Sequence, residues 1–241
     1  MKTILLKMAG PLQSWGTRSH FETRHTDFYP SKSAMIGLLS ACLGYKRDRQ
    51  EDITALNELD FAVRIDRQGN LLRDYHTARK YKPNGDFERT YVTNRYYLED
   101  AVFVVALGHT DTARMDTIEE AVKNPYFQPF MGRRSLPLTA DFFLDSSEEG
   151  VLDALAAVPW QGHRRGPEPD FVQLPIYADA HLLPEKPKKM RRDRVLSFSQ
   201  KERKFGYRPE ARSRTELRLP AVSTEHDAFG AIGGDDVFDK S

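Results

Sequence analysis

The chain has a single cysteine, Cys42, and therefore no partner with which to close an internal disulfide. That excludes a disulfide-stapled secreted scaffold, and a lone thiol in an apolar stretch reads as a small buried hydrophobe in a reducing compartment. No segment approaches the roughly eighteen consecutive apolar residues of a membrane-spanning helix. The N-terminus also lacks the basic-then-apolar order and small-residue cleavage site of a secretory signal. A soluble, cytoplasmic protein without membrane contact is expected. The seven histidines are scattered and, with one cysteine, assemble no zinc or haem motif, so neither metal nor cofactor is expected. G-x-S-x-G is missing, and no pair of carboxylates stands at catalytic spacing.

Net charge is nearly absent as well, at +1 over 241 residues, but its distribution is uneven. Residues 186–218 hold thirteen Lys or Arg against four Asp or Glu, an excess of nine that leaves the other 208 residues at −8. One basic surface on an otherwise acidic body is implied, of the kind that contacts phosphates without reading sequence.

The first 44 residues carry most of the chemistry. They read as a strand over Thr3–Met8, a loop over Ala9–Pro30 and a helix over Lys32–Leu43. A loop beyond about 15 residues inside a compact domain is functional or disordered, and this one holds Gln13, Trp15, Arg18, His20, Arg24, His25 and Tyr29. Pro30 bars helix before it, Ser31 suits the N-cap, and Gly44 suits the stop. Ala34, Gly37, Ala41 and Gly44 make one face small enough to lie on a sheet, and the remaining residues make the helix a buried one. Its N-terminus, with Lys32, Ser31 and Ser33, reads either as an anion contact or as an ordinary cap with a solvated lysine. Pro-Ser-Lys-Ser lacks the upstream glycine of G-x-x-x-x-G-K-[ST], which excludes a nucleotide-binding P-loop.

Further along, Ile53–Leu59 reads as a short helix, and Phe61, Val63 and Ile65 alternate as in a strand that pairs with a returning strand at Leu71–His76. Pro83-Asn84-Gly85-Asp86 is a hairpin turn. Its arms, within 79–97, carry Arg79, Lys80, Lys82, Arg89 and Arg95 beside Tyr81, Phe87, Tyr91, Tyr96 and Tyr97. Cations and rings on an exposed ribbon suit unpaired bases and phosphates, although cross-strand pairs of this kind also occur in ordinary hairpins. Strand Leu98–Leu107, helix Thr112–Lys123 and strand Leu136–Leu144 complete an α+β, ferredoxin-like (RRM-like) βαββαβ palm within 1–145, with the hairpin as an inserted thumb. The RNP1 pattern of an RRM is absent. A C-terminal elaboration over 146–221 follows, with a helix at Val151–Val158, a loop at Gly162–Pro169 and a strand at Phe171–Ala178. The acidic, glycine-bearing residues 222–241 read as disordered. Gly132-Arg133-Arg134 reads either as a phosphate clamp, with the glycine letting backbone approach, or as solvated charge at a strand entry.

Two runs resemble the opening of the CasD family: Ala-Gly-Pro-Leu-Gln-Ser-Trp-Gly (9–16) and Pro-Ser-Lys-Ser-Ala-Met-Ile-Gly-Leu-Leu (30–39). Val-Arg-Ile-Asp-Arg (63–67) with Asp-Tyr-His-Thr (74–77), Arg-Tyr-Tyr-Leu-Glu-Asp-Ala-Val-Phe (95–103) and Gly-Arg-Arg-Ser (132–135) fit the same family in order, and Arg-Val-Leu-Ser-Phe (194–198) is a weaker echo. Members of that family sit at the 5′ end of the guide RNA in type I-E CRISPR Cascade and belong to the RAMP superfamily. The resemblance implies a non-catalytic subunit of an antiviral surveillance complex that binds the 5′ handle of CRISPR RNA and caps a filament of backbone RAMP subunits. It also implies contact with the complex's large subunit and an indirect link to target DNA. The candidate cradle is Gln13, Trp15, Arg18, Arg24, Lys32, Ser33, Arg133 and Arg134, with Arg89, Tyr91 and Arg95 on the thumb. An alternative is metal-independent cleavage of repeat RNA, as in the related type I-C branch, using His20, His25, Tyr29 and Lys32. A scaffold whose aromatics bury against a protein partner is a third reading.

Overall fold

The computed structural model describes residues 1–17, 22–163 and 170–219. Arg18, His20, most of the 162–169 loop and the acidic tail lie outside the described residues. In chain order the elements are β1 (Lys2–Ala9), β2 (Leu12–Gln13), β3 (Thr23–Arg24), α1 (Lys32–Cys42), α2 (Gln50–Ala55), β4 (Asp60–Arg67), β5 (Asn70–Tyr81), β6 (Phe87–Glu99) and β7 (Val102–His109). They continue with α3 (Thr112–Lys123), β8 (Phe143–Ser147), α4 (Val151–Ala157), β9 (Phe171–Asp179), β10 (Lys188–Ser197) and β11 (Lys204–Arg218). One sheet runs β10-β11-β9-β4-β7-β1-β8, with every pairing antiparallel. A second joins β2, β6 and β3, with β5 on β6.

The central strands are apolar on both faces because both are covered. Ile4, Leu6, Met8, Phe61, Val63, Phe103, Val105 and Leu107 pack with Met35, Ile36 and Leu39 of α1 and Met115, Ile118 and Val122 of α3. On the other face Leu5, Ala62, Val104 and Ala106 meet Val151, Ala154 and Leu155 of α4. Arg64 reaches this second core, fully buried, because its charge is matched. It grips Asp66 through two bonds of 2.7 and 2.9 Å and donates to the carbonyls of Leu155, Val158 and Pro159 at the C-terminal end of α4.

The N-cap of α1 is Ser31, whose hydroxyl accepts from the Ala34 amide, and Gly44 takes the left-handed φ of 73° just past the helix. The small face of α1 does not lie on the sheet as expected. Large residues fill that contact, while Gly37 lies under Phe198 and Gly44 under Tyr126.

Three strand expectations are corrected. Residues 71–76 pair with β6 rather than with β4, so the hairpin is longer than 79–97 and runs from Asn70 to Glu99. Leu98–Leu107 is two strands belonging to different sheets, interrupted at Asp100, which adopts φ 55°. Opposite, Gly69 has φ 71°, and a Cβ there would stand 2.4 Å from the Glu99 carbonyl oxygen. These two residues turn both arms out of the main sheet together. Finally, the strand expected from Leu136 begins only at Phe143. Pro137 has no amide to donate, and Met131 to Leu136 close on each other in a tight turn. The C-terminal strands extend the main sheet, with β9 paired to β4.

The β10 edge is blunted. Asn57 offers it a strand-like pair, donating to the Val195 carbonyl at 2.8 Å and accepting from the Val195 amide at 3.0 Å. Beneath it lies a buried ion network. Arg208 holds Asp193 through two bonds of 2.9 Å, Asp179 at 2.8 Å and Glu210 at 2.9 Å. Lys32 donates to Asp179 at 2.9 Å, and Asp193 also accepts from the Lys32 backbone amide at 3.0 Å. Arg191 extends the network to Glu210 and Asp27, each at 3.2 Å, and Tyr29 donates to Glu210 at 2.8 Å. Burial draws the Lys32 ammonium below its ordinary value, and the Arg208 charge adds to that against the pull of Asp179. Burial alone would lower Arg208 too, but the bonds and charges of Asp193, Asp179 and Glu210 more than offset it, leaving the guanidinium above its usual range.

Removing one member of such a network leaves uncompensated buried charge, which costs about 3–5 kcal/mol. Asp193→Ala is therefore expected to lower unfolding free energy by that amount in a urea titration. A loss under about 1 kcal/mol, the value of an exposed pair, would contradict this account.

Candidate nucleic-acid interface

The base of the β5–β6 hairpin brings three arginines together. Arg95 lies on β6 beside Arg24, its register partner on the parallel strand β3. Arg133 arrives from the Met131–Leu136 turn. Gly132 has φ 81°, and a Cβ there would sit 1.6 Å from the Ser14 carbonyl oxygen, so only glycine lets this turn lie against the chain after β2. The close approach expected for a phosphate is thus made by Ser14 backbone. The turn carries the Arg133 guanidinium 4.2 Å over the Tyr97 ring. One of its nitrogens, Nη2, donates to the carbonyls of Arg24 (2.9 Å) and Tyr96 (3.0 Å).

The charges here are not neutralised. Among the described residues none of the three arginines forms an ion pair with a carboxylate. Arg95 Nη2 lies 3.2 Å from His76 Nδ1, but Arg95 Nε and Arg133 Nη1 are buried with no hydrogen-bond partner. Burial, with repulsion from Arg95 and Arg24 added, pulls Arg133 below the usual guanidinium range despite the Tyr97 contact. Unsatisfied charged donors cost more than ordinary ones. A group with several acceptor oxygens and negative charge satisfies them, and a phosphate is such a group. His25 stacks on Tyr96 at 5.4 Å, setting ring faces beside the cations.

Further out on the hairpin, Arg89 lies over the Tyr91 ring at 4.3 Å and bonds its hydroxyl. Phe87 and Tyr81 are exposed and meet edge to face at 6.2 Å. Arg134 is exposed.

The structure turns other candidates inward. Gln13 is fully buried: its amide donates to the carbonyls of Met8 (3.2 Å) and Ala101 (2.7 Å), and its oxygen accepts from Trp15 Nε1 at 3.0 Å. Trp15 lies in the core, and Lys32 lies in the ion network, where Asp193 already occupies the helix N-terminus that had suggested an anion contact. Ser33 is half-buried, 3.2 Å from the Ser31 hydroxyl. The proposed nuclease set is divided similarly, since Tyr29 and Lys32 are engaged in the network, and Tyr29 also stacks on Tyr177 at 4.0 Å. Asp60, Asp179 and His181 bring potential metal ligands within 4.8 Å, but both Asp179 oxygens already accept from Arg208, Lys32 and the Phe61 amide. Sequence reasoning missed His76 as a partner of Arg95, although it stands in the Asp-Tyr-His-Thr run.

Residues 3–209 match the family described as CRISPR-associated protein (Cas_Cas5). The chain is 42% identical over 159 residues to the CRISPR system Cascade subunit CasD of Escherichia coli (strain K12), covering 60% of this chain and 71% of that protein. Among solved structures it is similar to a chain of a CRISPR RNA-guided surveillance complex, with TM-score 0.76 and 33% identity over 90% of this chain and 91% of that one. A structure titled as that of a Cas protein matches at TM-score 0.61 and 30% identity, covering 90% and 97% of the two chains.

Gln13→Ala leaves two buried carbonyls and the indole N–H without partners, each costing about 1–3 kcal/mol. The expected outcome is a lower melting temperature with RNA affinity within twofold of the parent at temperatures where both are folded. Lost affinity at unchanged stability would instead make Gln13 a direct contact.

Proposed function

The chain belongs to the Cas5 family of CRISPR-associated proteins, and from that premise we propose that it is a non-catalytic subunit of an RNA-guided surveillance complex that holds the 5′ handle of CRISPR RNA. The observation that carries this reading is the pair of buried, partnerless guanidinium nitrogens, Arg95 Nε and Arg133 Nη1, at the base of the exposed hairpin. Arg24, Arg95 and Arg133 take one phosphate of the handle, while Tyr96 and His25 offer rings to neighbouring bases. Arg89 and Tyr91 on the thumb separate nucleotides, and Arg134 adds an outer contact. Gln13, on the strand paired with β6, and Trp15 belong to the core behind this cradle, while Lys32 belongs to the ion network. The order β8-β1-β7-β4, with helices crossing between strands, supports a ferredoxin-like palm. Partners of the subunit are backbone RAMP proteins and the large subunit, in cytoplasmic antiviral defence.

Hydrogen bonds to charged groups contribute about 1.5–3 kcal/mol. Arg95→Ala and Arg133→Ala are each expected to weaken handle RNA on the order of tenfold or more in fluorescence anisotropy. RNA without the handle should bind the parent as weakly as the variants bind handle RNA. Unchanged affinity in both folded variants, or a discrete metal-free cleavage product from the parent, would contradict the proposal.

A further inference from the structure

Arg95 reaches the cradle with its Nε buried and, among the described residues, without a hydrogen-bond partner. A guanidinium is planar, so a bond at one nitrogen fixes the plane in which its other N–H groups point. That bond is made at Nη2, which lies 3.2 Å from His76 Nδ1. Arginine has donors only, so Nδ1 is the acceptor, and the His76 ring is then a neutral imidazole with its proton on Nε2. Strands β5 and β6 set this contact. Asp74 stands opposite Arg95 in the antiparallel register, and His76 stands opposite Thr93, one diagonal step away on the same face. Thr93 is buried, and its Oγ1 lies 3.4 Å from both Nδ1 and the carbonyl oxygen of His76, which bounds the ring on the β6 side. An acid thus occupies the register position of Arg95, yet among the described residues no ion pair joins the two. The acceptor that holds Arg95 is the uncharged nitrogen two residues further along β5.

We propose that His76 is a positioning residue of the RNA site: it holds the Arg95 guanidinium by a neutral acceptor, so that Nε–H faces the bound phosphate with the full charge behind it. This role rests on the cradle being the handle site, and it is exerted through Arg95 rather than through any charge of the histidine. A carboxylate in the same place would orient Arg95 equally well but would cancel the charge that attracts the phosphate. A protonated imidazole cannot do the work either. Both of its nitrogens donate, and Nδ1–H would meet the Arg95 N–H head-on, beside the further positive charges of Arg24 and Arg133. Lysine fails for the same reason, having donors and no acceptor. Asparagine meets the requirement, because its side-chain oxygen is as many bonds from the backbone as Nδ1 and carries no charge. Orienting the guanidinium in the free protein also removes rotamer freedom that RNA binding would otherwise have to remove, which raises affinity.

The test uses the full chain, its H76A, H76N and H76K variants, R95A, and the double variant H76A/R95A. Each is titrated by anisotropy with single-stranded handle RNA at a temperature where all are folded. Residues of one hydrogen-bonded network are energetically coupled, so H76A is expected to weaken handle RNA about fivefold or more. H76N should bind within about twofold of the parent, and H76K should lose as much as H76A despite its added positive charge. In the R95A background H76A should change affinity by less than about twofold, since nothing is left for it to orient. Unchanged affinity in H76A would overturn the role, as would parent-like or tighter binding by H76K. A loss in H76N equal to that in H76A, or an equal loss from H76A with and without Arg95, would overturn it too. Should H76A not fold, H76N and H76K decide the same question. A loss in R95A with none in the His76 variants rejects His76 alone, whereas parent-like binding by R95A rejects the cradle itself.

Discussion

The placement of Arg24 and His25 in the cradle depends on a set of buried charges some distance from it. Asp193 and Asp179, with Glu210, face Arg208, Arg191 and Lys32, and their bonds tie the segment from Asp27 to Lys32 onto β9, β10 and β11. Buried ion pairs seldom stabilise more than a well-packed apolar alternative, so their use here is best understood as specificity of register. An apolar patch would tolerate sliding of the loop over the sheet, whereas the directional bonds of Arg208 to three carboxylates do not. With Tyr29 clamped between Tyr177 and the Arg191 guanidinium, the chain enters α1 at one place only. Arg24 and His25 lie a few residues upstream of that anchor, and their position beside β6 follows from it.

The cradle has the opposite electrostatic character. Its cations are held by backbone carbonyls, a ring and a histidine nitrogen rather than by carboxylates. Carbonyls orient a guanidinium without cancelling its charge, so the site remains attractive to an anion, at a cost in stability that bound phosphate relieves. The same chain therefore treats arginine in two ways. Where acids surround it the residue organises the fold, and where only dipoles surround it the residue is available to a ligand.

Sequence alone revealed the elements with strong local signals. The Ser31 cap, the apolar run of α1 and the Pro83–Asp86 turn all form as their residues dictate. Arg24, Arg95 and Arg133 were legible as candidates because cations beside rings and glycine suggest phosphate. What could not be read was burial. Lys32 and Gln13 look like surface chemistry in a polar loop, and the acids that claim Lys32 come more than 140 residues later in the chain. Asp179, Asp193 and Glu210 stand out in no motif, because their role exists only once three strands align. The hairpin's true length was hidden for a related reason. Alternation of apolar residues marks a strand but not its partner, and only the left-handed turn at Asp100 with Gly69 opposite moves both arms into a second sheet.

The most direct measurement is a structure of the chain bound to the 5′-handle oligonucleotide, resolved well enough to place phosphates. The account predicts a phosphate within hydrogen-bond distance of both Arg95 Nε and Arg133 Nη1, with Arg133 still on the carbonyls of Arg24 and Tyr96. RNA bound elsewhere on the molecule, with those two nitrogens left facing protein or water, would contradict it.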